Sequence, residues 1–334
     1  TGKELLVFRQ HTDAVTSAEF SPDGKTIVTA SLDNTARVWD PVTGRVLRTL
    51  SGRSSAKFSP TGKTIITVSG NTVRIWDAAT GEELRTLQGH TGPVNSAIFS
   101  PDGKTILTAS GALGGAGNIG WDPTARLWDA ATGQELHRLL GHTFSVLSAR
   151  FSPDGMTIVT ASGDNTARVW SAASGHQTQV LEGHTDVVGW AKFSQDGNTI
   201  VTASWDNTAR VWDATTGEEL HTLQGHTGIV NSAEYSPDGK VIVTASDDHT
   251  ARVWNSTTGS ELYILQGHTD AVEFAVFSSD GKTILTASQD NFVRIWDAAT
   301  GERLHTLAGG KPAEFSPDGM SILSSGKDNT IRVW

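Results

Sequence analysis

The sequence predicts an all-β protein, an eight-bladed β-propeller with four antiparallel strands in each blade. Three observations predict it: a tryptophan that returns at regular spacing, a unit in which turns separate β-rich runs, and two chain ends that complement each other. Five tryptophans are spaced by 42 residues, and three more extend the series with steps of 37, 52 and 38. A period of this length indicates one small unit copied along the chain. The eight are Trp39, Trp76, Trp128, Trp170, Trp212, Trp254, Trp296 and Trp334.

The copy from His226 to Leu265 indicates how one unit folds. Its β-rich runs IVNSAEY, VIVTAS, ARVW and ELYIL are separated by polar turns. The first turn is SPDG at 236–239, in which proline presets φ and glycine accepts a positive φ. Four strands joined by hairpins make a blade with two apolar faces. A radial arrangement of blades covers those faces and leaves only short edges.

The chain ends predict that the ring closes on itself. Residues 1–8, TGKELLVF, align without gaps on residues 80–87, TGEELRTL, a fourth strand. Residues 311–334 supply the inner three strands of a blade and then stop. We therefore expect 1–8 to form the outer strand of that blade, which removes two exposed sheet edges. Residues 1–334 are then one propeller domain. A seven-bladed ring would leave one copy unburied and is disfavoured.

Composition excludes several classes of site. The chain has 334 residues and no cysteine, which rules out disulfides and thiolate metal sites. Its 26 basic and 36 acidic residues are evenly spread and give a net charge of −10, which disfavours a nucleic-acid groove. No apolar run is long enough to cross a membrane. Because the chain starts at Thr1 and stops at Trp334, we expect a domain of a longer protein.

The repeated motifs resemble those of the WD40 family. Gly-His, then Ser-Pro-Asp-Gly, then Thr-Ala-Ser-x-Asp-Asn-Thr-Ala-Arg-Val-Trp-Asp recur along the chain. The near identity of the copies is most similar to the WD40 arrays of bacterial, often cyanobacterial, multidomain proteins. The resemblance implies a non-catalytic module that binds proteins or peptides. Similar arrays often accompany signalling ATPases, kinases or protease-like proteins, where they act as sensors.

The resemblance also implies a repeated hydrogen-bonded tetrad of histidine, threonine, aspartate and tryptophan. A nucleophile–base interpretation of these residues is disfavoured, because six complete sets cannot be six active sites. The tetrads are His11, Thr29, Asp33 and Trp39; His90, Thr108, Asp122 and Trp128; His142, Thr160, Asp164 and Trp170; His184, Thr202, Asp206 and Trp212; His226, Thr244, Asp248 and Trp254; and His268, Thr286, Asp290 and Trp296.

Two other repeated residue types receive structural interpretations. An arginine stands two residues before each of the eight repeated tryptophans, and we expect it to stack or pair within its own blade rather than to form an anion-binding ring. We expect His137, His221 and His305, on fourth strands, to be surface residues. The arginines are Arg37, Arg74, Arg126, Arg168, Arg210, Arg252, Arg294 and Arg332.

Only positions that differ between copies can form one asymmetric binding site. Blades two and eight lack the Gly-His segment, and blade three carries ten extra residues, Gly111–Gly120. In WD40 rings this extra loop lies on the face of the Gly-His loops, where many members bind ligands. Large aromatics are typical anchors there. The candidate contact residues are Leu32, Trp121, Leu147, Val187, Trp190, Trp205, Ile229, Asn231, Asp247, Phe274 and Gln289. Trp190 and Phe274 replace a serine, and either extend this surface or fill gaps between blades.

Three functions compete. The first is a protein- or peptide-binding scaffold or sensor whose binding surface is apolar, carries tryptophans and runs from blade three to blade six. The second is a propeller enzyme, whose candidate residues on first strands are scattered in sign: Glu19, Arg150, Lys192, Glu234 and Glu273. The third is a lectin-like module, ranked above the enzyme but below protein binding. We expect no catalytic residue, cofactor, metal, nucleic acid or membrane, and a monomer in the cytoplasm.

Overall fold

The computed structural model describes residues 2–111 and 122–334, and all regular secondary structure within these ranges is β-strand. Eight four-stranded antiparallel sheets form eight blades around an axis. We call the face that carries the Gly-His loops and the turns between second and third strands the top face. The predicted fold, with eight blades of four antiparallel strands, is confirmed.

The strands follow the sequence blade by blade. Blade one contains β2 (Val15–Phe20), β3 (Ile27–Ser31), β4 (Thr35–Trp39) and β5 (Val46–Ser51). Blade two contains β6 (Ser55–Phe58), β7 (Thr64–Ser69), β8 (Thr72–Asp77) and β9 (Glu83–Leu87). Blade three contains β10 (Val94–Phe99), β11 (Thr105–Ser110), β12 (Ala125–Asp129) and β13 (Glu135–Leu139). Blade four contains β14 (Val146–Phe151), β15 (Thr157–Ser162), β16 (Ala167–Ser171) and β17 (Gln177–Leu181).

The second half repeats this order. Blade five contains β18 (Val188–Phe193), β19 (Thr199–Ser204), β20 (Thr208–Asp213) and β21 (Glu219–Gln224). Blade six contains β22 (Val230–Tyr235), β23 (Val241–Ser246), β24 (Ala251–Asn255) and β25 (Glu261–Leu265). Blade seven contains β26 (Val272–Phe277), β27 (Thr283–Ser288), β28 (Phe292–Asp297) and β29 (Arg303–Ala308). Blade eight contains β30 (Gly310–Phe315), β31 (Ile322–Ser325), β32 (Ile331–Val333) and β1 (Leu6–Phe8).

The two ends of the chain complete one blade. The sheet order in blade eight is β1-β32-β31-β30, so the first strand of the chain is the outer strand beside the last. Leu6 is opposite Val333, and Phe8 is opposite Ile331, in an antiparallel register. The backbone N–H of Leu5 adds a 2.7 Å hydrogen bond to the Val333 carbonyl. The predicted closure is therefore confirmed, and it leaves neither end strand as an open edge.

Burial falls from the second strand of a blade to the fourth. The central β23 is rich in β-branched residues, because both of its faces are covered by neighbouring blades. The outer β25 begins with two exposed residues and only its last residue, Leu265, is buried. At the turn between second and third strands, Asn207 adopts a φ of +70°, in the left-handed region that asparagine tolerates well.

The core consists of layers between adjacent blades. Val243 and Leu265 of blade six pack with Phe277 and Trp296 of blade seven in one such layer. The layer between blades eight and one includes Phe8 from β1, whose ring lies 5.1 Å from that of Trp39. Each blade therefore depends on both neighbours for the burial of its apolar surface.

Candidate functional site

The tetrad of blade six is a linear chain of hydrogen bonds. The Trp254 indole N–H donates to the Thr244 hydroxyl oxygen at 2.9 Å. Thr244 Oγ1 lies 2.7 Å from His226 Nε2, and His226 Nδ1 lies 2.7 Å from Asp248 Oδ2. Because a carboxylate only accepts, Nδ1 carries the imidazole proton, and the neutral ring then accepts the Thr244 proton at Nε2. Every proton in this series of hydrogen bonds therefore has an acceptor.

The same contacts recur in blades one, three, four, five and seven. Burial lowers the pKa of His268 to about 4, although its hydrogen bond to Asp290 acts in the opposite direction. Burial would raise the pKa of Asp248, but hydrogen bonds from His226 and Thr250 outweigh it and hold that pKa well below the usual range. This arrangement stabilises a buried neutral imidazole beside an ionised carboxylate, which suits a structural role.

Blades two and eight have no tetrad histidine. A glycine, Gly52 or Gly309, lies against the hydroxyl-bearing residue of the second strand instead. In blade eight the Trp334 indole donates to Ser324 Oγ at 2.9 Å, and a Cβ added at Gly309 would overlap that hydroxyl. In blade two a Cβ at Gly52 would lie 2.9 Å from Thr67 Cβ. The two glycines therefore permit a close approach that no other residue allows.

Apolar side chains gather on the top face of blades four to six. Trp205 is 37% exposed, and its indole lies next to Gly189. Leu147 on blade four, Val187 on blade five and Ile229 on blade six are half-buried. The Val187 carbonyl accepts a 2.9 Å hydrogen bond from the backbone N–H of Trp205. Trp121 lies outside the described residues. Leu32, on blade one, and Gln289, on blade seven, are also exposed, but their blades lie outside this group.

Phe144 is a top-face aromatic that the sequence interpretation missed. It is half-buried, and its ring lies against Gly163, where an added Cβ would overlap it. The signal was its position two residues after the blade-four histidine, where the other histidine-bearing copies have aspartate or glycine. Phe144 therefore joins the side chains of blades four to six.

Three polar candidates already have protein partners. Asn231 Nδ2 donates to Asp247 Oδ1 at 2.7 Å and to the Val272 carbonyl at 3.1 Å, which ties blade six to blade seven. Gln289 Nε2 donates to Glu273 Oε1 at 3.2 Å. A ligand that used these groups would compete with existing hydrogen bonds.

Trp190 and Phe274 lie near the axis instead of among the exposed tips. Their rings, from blades five and seven, are 6.3 Å apart, a proximity that only inner strands of non-adjacent blades can reach. Trp190 Nε1 donates to the Ala233 carbonyl of blade six at 3.0 Å. The Arg150 guanidinium lies 4.8 Å from the centre of the Trp190 ring and donates to Ser96 Oγ at 3.1 Å. We call these linked side chains, from blade three to blade seven, the channel belt.

The charged residues nearest the axis are mostly matched between neighbouring blades. Lys192 forms an ion pair with Glu234, and Lys57 lies 3.4 Å from Glu19. Among the described residues, no group of three or more histidine, aspartate or glutamate side chains is placed to hold a metal. The described part of the chain also contains no helix that could span a membrane.

Two fourth-strand histidines connect blades, which the expectation of plain surface residues overlooked. His137 Nε2 lies 3.0 Å from the Ala173 carbonyl of the next blade, and His221 Nε2 lies 2.7 Å from the Thr257 carbonyl. Both imidazoles are half-buried. Outer strands of adjacent blades diverge, but the turn before the neighbour's fourth strand is within reach of a long side chain.

The ring of four-stranded blades and the buried tetrads define a β-propeller of the WD40 class. The chain belongs to the WD40 family, described as "WD domain, G-beta repeat", which matches residues 2–40, 44–77, 81–129, 133–171, 175–213, 217–255, 259–297 and 304–334. WD40 propellers generally serve as scaffolds for protein interaction.

Comparison with known proteins gives one likeness over the whole chain and several local ones. The crystal structure of the computationally designed Ika8 protein is similar with a TM-score of 0.85 and 29% identity, over 99% of each chain. The ribosome biogenesis protein BOP1 homologs of Drosophila grimshawi and Drosophila ananassae are each 47% identical over 47 residues. That segment is 14% of this chain and 6% of each curated relative.

Proposed function

We propose that this propeller is a non-catalytic scaffold that binds a protein or peptide on its top face. The binding surface is the apolar arc, which we define as Phe144, Leu147, Val187, Trp205 and Ile229. The observation that carries the proposal is the exposed indole of Trp205 next to Gly189. Tryptophan dominates the binding energy of many interfaces.

The variation between copies supports this choice of surface. The tetrads repeat from blade to blade, whereas the positions of the apolar arc differ from copy to copy. In a repeat protein, a residue that differs between copies is free of the common packing requirement. A partner that contacts Phe144 and Trp205 would meet a surface that no other part of the ring reproduces.

The channel belt supports a peptide or protein ligand over a small molecule. Small-molecule sites are usually deep and enclosed. Here Trp190 bonds to the Ala233 carbonyl of blade six, and its ring lies 6.3 Å from that of Phe274 in blade seven. These aromatic side chains are tied to neighbouring blades beside the apolar arc, so we infer that the ligand lies on the exposed residues of the arc, as an extended or folded polypeptide can.

The test compares wild type with a Phe144→Ala, Trp205→Ala double variant. A partner captured by the wild-type ring is titrated calorimetrically against both proteins, and we expect at least about tenfold weaker binding to the variant. Val42→Ala is the matched control, because Val42 is an exposed aliphatic residue on blade one, away from the apolar arc. Equal affinity of the double variant and wild type would contradict the proposal.

The proposal has three finer features: a sensor role within a larger signalling protein, which the resemblance to bacterial arrays implies, a monomeric ring and a cytoplasmic location. Trp121 belongs to the proposed surface on sequence grounds alone. Size-exclusion chromatography with light scattering tests the monomeric state directly.

A further inference from the structure

Blade seven departs from the other blades at the partner of its repeated arginine. In blade six, Arg252 Nη1 lies 2.5 Å from Glu261 Oε2, and Glu261 is opposite Trp254 in the sheet. The residue opposite Trp296 in blade seven is Arg303. Glutamate or glutamine pairs with the arginine at this place in five other blades, through Glu4, Glu83, Glu135, Gln177 and Glu219. Blade one has Val46 opposite Trp39, and its Arg37 donates to Gln10 instead. Blade seven therefore has two arginines where six other blades pair an arginine with a glutamate or glutamine.

The two arginines of blade seven are in different environments. Arg294 is 6% exposed and turns inward, where its Nη1 lies 2.7 Å from Asp290 Oδ2 and also contacts His268. Arg303 is exposed, and within the described residues its side chain has no hydrogen bond or ion pair. Because Arg303 itself occupies the position of the glutamate, the two guanidinium groups of blade seven have no carboxylate between them of the kind that Glu261 supplies in blade six.

A second substitution in blade seven lies beside the first. Thr250 of blade six donates to Asp248 Oδ1 at 2.6 Å, and Phe292 takes the threonine position in blade seven. Phe292 is 40% exposed, and its ring centre lies 5.5 Å from Arg294 Cζ. The change replaces a satisfied hydrogen bond with an exposed aromatic ring.

Arg303 also lies close to His268, beside Phe292 and Arg294. An added Cβ at Gly267 would lie 3.3 Å from Arg303 Nη1, and Gly267 precedes His268. Burial is the largest cause that lowers the pKa of His268, and its hydrogen bond to Asp290 acts in the opposite direction. The positive charges of Arg294 and Arg303 lower this pKa further. Phe292, Arg294 and Arg303 thus form one surface around His268, which we call the blade-seven patch.

We infer that the blade-seven patch binds a polypeptide segment that carries a carboxylate side chain beside an apolar one. The carboxylate accepts from Arg303, in the role that Glu261 has in blade six, and the apolar side chain packs on Phe292. Guanidinium–carboxylate pairs are short, directional and strong. Arginine and aromatic residues are also the types enriched at interfaces. This site lies outside the apolar arc and does not depend on it.

The test uses phage-displayed random peptides selected on the whole 334-residue protein. The phage library is first passed over immobilised Arg303→Glu protein, which removes peptides that bind other surfaces. The phage that remain unbound are then selected on the wild-type protein. The selected peptides should carry aspartate or glutamate next to an aromatic or aliphatic residue. Their affinity should fall about tenfold or more with Arg303→Glu or Phe292→Thr, and should weaken as salt increases.

Both substitutions give blade seven residues that other blades carry, so we expect the fold to tolerate them. Arg303→Gln, which introduces the residue type that Gln177 supplies in blade four, provides a second variant if the glutamate variant unfolds. Arg85→Glu makes the same charge change on the fourth strand of blade two and should leave the affinity unchanged. The Phe144→Ala, Trp205→Ala variant should also bind these peptides normally, which separates this site from the apolar arc.

Three results would overturn the inference. One is a selection that enriches no peptide, and another is a set of peptides without acidic residues. The third is a peptide whose affinity responds equally to the blade-two control and to the substitutions in the blade-seven patch.

Discussion

The carboxyl group of Glu314 accepts a 2.7 Å hydrogen bond from the backbone N–H of Phe20, across the joint between the last blade and the first. Glu19 and Lys57 are the charged groups that face it from blades one and two. Burial, and then the charge of Glu19, raise the pKa of Glu314 to about 8. The folded protein therefore holds this acid in its neutral form at pH 7.

Glu314→Gln should stabilise the protein at neutral and alkaline pH. In the unfolded chain Glu314 ionises near its ordinary pKa of 4.5, whereas in the folded chain it stays protonated up to about 8. Between these values the folded state binds more protons, so stability falls as pH rises. Glutamine keeps an acceptor for Phe20 and cannot ionise. Urea unfolding from pH 5 to pH 9 should show a smaller fall for the variant, by an amount on the order of a few kcal/mol.

Glu82→Gln is the matched control for this measurement. Glu82 is exposed on the turn before the fourth strand of blade two, so its substitution should leave the pH dependence of unfolding as in wild type. If Glu314→Gln and wild type lose stability in parallel over this range, Glu314 is ionised in the folded protein and the prediction is wrong.

Thr244→Val should destabilise blade six strongly. The substitution keeps the shape of the side chain but removes the hydroxyl that accepts from Trp254 and donates to His226. Each buried group left without a partner costs about 1–3 kcal/mol. Thermal and urea unfolding measure the loss, and Thr257→Val, on an exposed turn of the same blade, should have little effect. Similar unfolding midpoints for the two variants would show that the tetrad contributes little.

Acid should destabilise the ring before its aspartates titrate. The pKa of His268 is about 4 in the folded protein and has a reference value of 6.5. As pH falls through this window the unfolded state takes up the proton first, so stability is lost. His268→Gln should reduce the slope of stability against pH between 6.5 and 4. His176→Gln, at an exposed site, should not; identical slopes in both variants would rule out His268 as a source.

Phe8→Ala should weaken the ring at its closing joint. Phe8 is 2% exposed and packs edge-on against Trp39, so its truncation removes contacts between blades eight and one. Loss of a buried phenylalanine typically costs about 3–5 kcal/mol. Leu5→Ala, one step before the same strand and 60% exposed, is the control. Equal unfolding free energies for the two variants would mean that the packing of the Phe8 side chain contributes little to stability.

The sequence predicts the repeated features of the fold well because each is encoded in several copies. The spacing of the tryptophans predicts the number of blades, and the alignment of residues 1–8 on 80–87 predicts the closing strand. The tetrads follow from a resemblance that recurs along the whole chain. Repetition in this case makes local patterns sufficient to define the architecture.

Features that belong to one blade are harder to predict. Whether Trp190 reaches Phe274 depends on the radius of the ring, which no local pattern contains. The exchange of glutamate for Arg303 is visible in the sequence, but its meaning depends on knowing which residue lies opposite Trp296. Phe144 was missed because the positions compared along the copies did not include its own.

The pairing of Leu6 with Val333 also has a consequence for biosynthesis. The ribosome makes β1 at the beginning of translation of this region, and its partner β32 emerges last. In the nascent chain, Phe8 and the apolar side of blade one that faces blade eight therefore stay exposed to water until nearly all of the repeats have been made. Contacts between such distant segments form slowly, and uncovered apolar surface favours aggregation. We therefore expect chaperones that bind nascent chains to act mainly on blade one, which is made first and stays uncovered longest.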